Sequence, residues 1–133
     1  MGEPEPQPSR LHHLALGAQD VAALAEFYRD VLGMAEVTRH DEPEDGSLRS
    51  VWLDLGGGAV LMIEKAHHPQ RDPVEGHDSG LFLLALTMDV ATMEQRCEDL
   101  QARGFEQERA TDYSRYFRDP EGNRFALSVY PLP

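Results

Sequence analysis

Six histidines and a single cysteine are the residues here with the most chemistry to offer. His13 is the best placed of them. It alternates with Leu14 and Leu16 on a predicted strand, so it projects from the face those leucines avoid. Three roles stand open to it: a hydrogen-bonded pocket residue, a metal ligand, or a general base. An imidazole titrates near neutrality and suits the last role, but no carboxylate lies beside it in sequence to orient the ring. His12 has the opposite parity. His67, His68 and His77 cluster in a polar stretch, and their spacing fits no standard metal motif. Cys97 falls on the apolar stripe of a predicted helix, the place of a structural thiol rather than a nucleophile. Trp52 reads equally as pocket wall or core, and Tyr116, on a late strand, reads first as a buried aromatic with a satisfied hydroxyl and second as a residue within reach of a pocket. No P-loop, dinucleotide fingerprint, CxxC pair or GxSxG elbow is present.

The elements that must position these residues come in two similar sets. In the first, residues 11–17 alternate as a strand, and Asp20 stands at a helix N-cap. Leu24, Phe27, Tyr28, Val31 and Leu32 then mark one helical face over 20–32, and Gly33 ends it. Strands follow at 35–40, 48–55 and 59–65, the last two joined by Gly56-Gly57-Gly58. The pattern then restarts. Residues 81–87 form a strand, and Asp89 caps a helix over 90–103 striped by Val90, Met93, Cys97 and Leu100. Gly104 stops that helix, and strands are predicted at 105–109, 114–118 and 124–130. Asp119-Pro120-Glu121-Gly122 has the Pro and Gly placement of a type I turn. Both halves therefore read βαβββ. A helix covers only one face of such a half, so two halves pack together or share a cavity.

The chain has 133 residues, 41% of them hydrophobic, enough for one domain with a real core. Residues 1–10, with three prolines among polar residues, are expected to be a disordered tail. The domain spans 11–131, as modules 11–66 and 79–131 joined by a linker at 67–78. The net charge of −12 argues against nucleic acid, which needs a basic footprint, and allows a cationic small ligand. No apolar run reaches membrane-spanning length, and the first residues lack a signal-peptide core, so a cytoplasmic protein with no membrane partner is expected.

Two segments carry a family likeness. Phe27-Tyr-Arg-Asp-Val-Leu-Gly-Met34 and Phe117-Arg-Asp-Pro-Glu-Gly-Asn123 resemble motifs of the vicinal oxygen chelate superfamily, which includes glyoxalase I, bleomycin-resistance proteins, fosfomycin-resistance enzymes and extradiol dioxygenases. The resemblance covers about residues 11–131. It implies an α+β fold in which two βαβββ modules form an open, curved mixed sheet around a cavity. It also implies four inward positions, on the first and last strand of each module, which hold a divalent ion in metal-dependent members. Those positions fall on His13, Met62, Leu83 and Ala126, with Glu64 two residues beyond Met62 on the same face. One ligand type out of four favours no metal cofactor; His13 and Glu64 are the weak candidates for one.

The expected pocket is His13, Trp52, Met62, Glu64, Leu83, Tyr116 and Ala126, and no catalytic residue is assigned. The leading functional expectation is metal-free binding of a small organic ligand in an apolar pocket, as in the bleomycin-resistance branch. The alternatives are a divalent-metal-dependent lyase or dioxygenase of the glyoxalase type, and a non-catalytic regulatory or interaction module. Whether the protein is an enzyme stays open. Free sheet edges and the family likeness together suggest a homodimer.

Overall fold

A computed structural model of the chain describes residues 2–68 and 72–133. The first module runs β1 (His13–Ala18), α1 (Val21–Glu26), a π-helical turn (Phe27–Val31), β2 (Glu36–Asp41), β3 (Leu48–Gly56) and β4 (Ala59–Lys65). The second runs β5 (Leu84–Thr87), α2 (Val90–Ala102), β6 (Arg109–Ala110), β7 (Ser114–Arg118) and β8 (Arg124–Ser128). Each module makes its own four-stranded sheet, ordered β1-β4-β3-β2 and β5-β8-β7-β6. In both, the first strand runs parallel to the last and the remaining neighbours are antiparallel. This is the two-module α+β fold that the repeat implied.

The helix boundaries follow from their caps. Asp20 accepts a hydrogen bond from the Ala23 N–H at 3.0 Å, and Asp89 accepts one from the Thr92 N–H at 2.8 Å. Gly33 and Gly104 both take positive φ, at 76° and 90°, which only glycine adopts cheaply. Beyond Gly104 the Phe105 N–H closes onto the Leu100 carbonyl at 2.9 Å. At the first helix the equivalent bond, Met34 N–H to Tyr28 carbonyl at 3.1 Å, reaches one residue further back. The difference is the π-turn. The sequence predicts an unbroken α-helix over 20–32, but the helix widens after Glu26, with Leu32 N–H bonding to Phe27 carbonyl. A wider turn lets the consecutive Phe27 and Tyr28 both reach the core, where they are 4% and 0% exposed.

Three strands are shorter than their patterns suggest. Residues 81–83 approach β5 without pairing, and β8 ends at Ser128 rather than 130. Of the strand expected at 105–109 only Arg109 joins a sheet, because Phe105 turns inward to meet Phe27 at 4.9 Å between ring centroids. The core lies between the helices and the sheet faces they cover. Val51, Leu53, Leu61 and Ile63 are fully buried under α1, and Phe117, Phe125 and Leu127 are buried in the second module. Phe27 also touches Phe125, so the modules share aromatic packing.

Candidate functional site

The register shows what the helix-free faces carry. On the first sheet His13 pairs with Val60, Ala15 with Met62 and Gly17 with Glu64; Met62 in turn lies opposite Trp52, and Glu64 opposite Ser50. His13, Met62, Glu64 and Trp52 therefore share one face. On the second sheet Ala126 sits between Ala85 and Tyr116, and Leu83 has the parity of Ala85. Six of the seven candidate residues thus divide between two sheets, four on the first and two on the second, and Leu83 lies just before β5.

Their surroundings differ. His13 is exposed at the start of β1, its Nδ1 2.9 Å from Nδ1 of His12. Trp52 is half-buried, 5.2 Å from the His40 ring, and its indole Nε1 is buried with no hydrogen-bond partner. Tyr116 lies under the Arg109 guanidinium at 5.8 Å, and Ala126 is buried. Met62 and Glu64 are half-buried. Glu64 pairs four residues along from the partner of His13, which is about 13 Å at ~3.3 Å per residue. Side chains stand roughly perpendicular to a sheet, so His13 and Glu64 meet on one ion only by lying flat toward each other. Among the described residues no group of three or more His, Cys, Asp or Glu converges. With Met62, Leu83 and Ala126 in the other positions, these side chains do not form the donor set a divalent ion needs.

A cavity of about 320 Å³ lies between the edge of β1 and the segment that leads into β5. Leu83 borders it; the other six candidates do not. Its walls include Leu14, Leu16, Val74, Leu81 and Leu84, with Tyr28, Arg118, Glu121, Asn123 and Arg124 at the module junction. This junction is where the two family-like segments meet. Tyr28 donates to Asp119 Oδ2 at 2.7 Å, and Asp119 also accepts from the Glu121 N–H, the Asn123 N–H and the Asn123 amide. Glu121 accepts from the N–H groups of Gln19 at 3.0 Å and Asp20 at 3.1 Å, immediately before α1. Burial raises the Asp119 pKa against the pull of these donors. Burial, then the nearby Asp119, pushes the Tyr28 phenol well above its ordinary range, so it stays a donor.

Arg118 and Arg124 stand directly opposite each other in the β7–β8 register and share Glu108 between them, at 2.6 and 2.8 Å. That carboxyl is held below its ordinary value, chiefly by the hydrogen bond from Arg118. Sequence reasoning missed this cluster. A signal was present: two arginines opposite each other across a predicted turn demand a shared anion. Cys97 is half-buried against the core, and burial raises its thiol pKa, which leaves a poor nucleophile.

The model of the Glyoxalase/Bleomycin resistance protein/Dioxygenase superfamily matches residues 10–127. The chain belongs to that superfamily. It is 31% identical, over a 127-residue alignment covering 85% of this chain and 90% of the relative, to the uncharacterized protein YaeR of Escherichia coli K12. Among solved structures it is similar to a glyoxalase/dioxygenase from Nostoc punctiforme (TM-score 0.75, 22% identity, 92% of each chain). It is also similar to the fosfomycin resistance protein FosX from Mesorhizobium loti (TM-score 0.71, 19% identity, 95% of each chain). Lactoylglutathione lyase from Agrobacterium tumefaciens matches with a TM-score of 0.67 and 24% identity, over 93% of this chain and 96% of that one. These likenesses are of fold. Among the described residues no helix is long and apolar enough to cross a membrane.

Proposed function

We propose that this superfamily member binds a small organic ligand in an apolar pocket and does so without a divalent metal. The carrying observation is the set of side chains at the four inward positions. Met62, Leu83 and Ala126 replace three hard donors with a thioether and two hydrocarbons, and His13 alone leaves an ion without defined geometry. The same substitutions make the surface suited to apolar contact. A homodimer goes with this reading: β1, β2, β5 and β6 are sheet edges, and Leu81, Tyr113 and Tyr130 are exposed.

Two measurements test it. Mass spectrometry of purified protein should find divalent metal far below one ion per chain, and zinc, nickel, cobalt or manganese should leave the melting temperature unchanged. A thermal-shift screen of small organic molecules should find stabilising ligands, by the mass action of native-state binding. One ion per chain, lost on His13→Ala together with an activity, would overturn the reading and place the protein among metal-dependent enzymes.

A further inference from the structure

The segment 72–83 forms one wall of the inter-module cavity yet has no helix or strand of its own. Side chains from the second sheet hold it instead. Arg118 Nη2 donates to the Val74 carbonyl at 2.8 Å, and Arg124 Nη1 to the Gly76 carbonyl at 3.1 Å. The Arg124 guanidinium also lies 4.3 Å over the Phe82 ring, on which His77 stacks at 5.3 Å. Both arginines depend on Glu108, whose carboxylate keeps the two opposed cations together. Among the described residues the bonds that tie this stretch to the second sheet come from side chains, and such a stretch opens locally at less cost than a paired strand.

Most of the cavity's polar side chains are already committed. Arg118 and Arg124 bind Glu108 and backbone carbonyls, Asn123 and Tyr28 donate to Asp119, and Glu121 binds two backbone amides. Two further ionisable groups, His68 and Asp72, border the cavity, and both are exposed to solvent. Among the described residues no other charge on the wall is left to balance a charged ligand, and the remaining surface is mostly apolar. One hydrogen-bonding edge remains. The His12 and Ala18 carbonyls accept from β4, so strand alternation turns the N–H and C=O of Ala15 and Gly17 the other way, toward the cavity they border.

We propose that this cavity is a gated site for an uncharged, largely apolar small molecule, with segment 72–83 as the gate and Glu108, Arg118 and Arg124 as its clamp. A volume of about 320 Å³ is at the small end of ligand pockets. The inference rests on the reading of a small-ligand protein and adds where the ligand sits and what admits it.

The test uses N-phenyl-1-naphthylamine, a neutral apolar dye that brightens when it leaves water. The wild-type chain should bind one dye per chain slowly. Glu108→Gln and Arg118→Ala should each raise the association rate about tenfold, the scale of losing one charge-assisted hydrogen bond. Amide exchange at 74–82 should accelerate with unchanged circular dichroism. Gly17→Val should weaken the dye about tenfold or more by entering the site. Its backbone is free of positive φ, and its Cβ would meet only the Ala66 Cβ at 3.9 Å, so the fold should tolerate it. Clamp variants with wild-type association rates and exchange would overturn the gate. Dye binding indifferent to Gly17→Val but lost on Met62→Glu would overturn the cavity while leaving the small-ligand reading intact. No dye binding by wild type and clamp variants alike would overturn the proposal, and the thermal-shift screen then decides the broader reading separately.

Discussion

The two modules share a plan and differ in how completely they execute it. In the first, strands of six to nine residues lie under a helix whose inner face is almost wholly buried. In the second, β6 is two residues long, and the 13-residue α2 buries only Met93 and Leu100 fully. Leu84 and Leu86 stay half-buried, and Val90 on α2 is 54% exposed. The second module makes up the deficit with side-chain chemistry: the Asp119 hairpin, the Glu108 cluster and the reach of Arg96 to the Val31 carbonyl. One module is held mainly by apolar burial and the other by side-chain hydrogen bonds, some within it and some, from Asp119 and Arg96, that cross to its partner.

The sharpest way to break that contrast is Asp119→Ala. It orphans the Tyr28 hydroxyl and the donors of residues 121 and 123 at a largely buried place. A loss of about 3–4 kcal/mol is expected by chemical denaturation, since each unsatisfied buried donor costs about 1–3 kcal/mol. A loss under about 1 kcal/mol would mean that the Tyr28–Asp119 bond contributes little to joining the modules.

A smaller effect separates the two helix stops. Gly104→Ala should cost about 1 kcal/mol, the penalty of a left-handed residue with a Cβ. Gly33→Ala should cost about 2–3 kcal/mol, because its Cβ would come 2.7 Å from Arg96 Nη2 and displace the bond to Val31. Equal costs would show that Arg96 contributes nothing across the junction.

The smallest effect is pH-dependent. The Glu108 carboxyl is lowered from 4.5 in the folded chain, so its stabilisation is complete above that value and fades as pH falls through the depressed one. The difference in melting temperature between wild type and Glu108→Gln should therefore be steady at neutral pH and shrink as pH falls below 4.5. Asp119 works in the opposite sense: its pKa is raised, so ionisation there opposes stability as pH rises through the raised value. A Glu108→Gln difference that grew on acidification would contradict the arginine pairing.

What was legible in the sequence is what is local. Asp20, Asp89, Gly33 and Gly104 set the helix ends through contacts within a few residues, and strand parity put Met62 and Glu64 on one face, whereas Trp52 read equally as wall or core until the register paired it with Met62. The π-turn was not legible, because it answers to the packing of Tyr28 against Asp119 and Phe125, far away in sequence. Nor was the path of 72–83, of which no periodicity marks 72–80 and which depends on Arg118 and Arg124. Asp119-Pro-Glu-Gly122 reads as a turn and is one, but its carboxylates also tie the modules together, a role that turn chemistry alone does not reveal.

The hydrogen bonds from Gln19 and Asp20 to Glu121 bear on how the chain is made. Their partners are 102 and 101 residues apart. A ribosome adding about 5–20 residues per second delivers Glu121 some 5–20 s after Asp20. Through that interval the first helix begins with amides turned to solvent and Tyr28 lacks its acceptor. The nascent first module, though rich in apolar residues, must wait unfinished for the last hairpin, so a stall between residues 65 and 119 would leave the chain at its most exposed to proteases and chaperones.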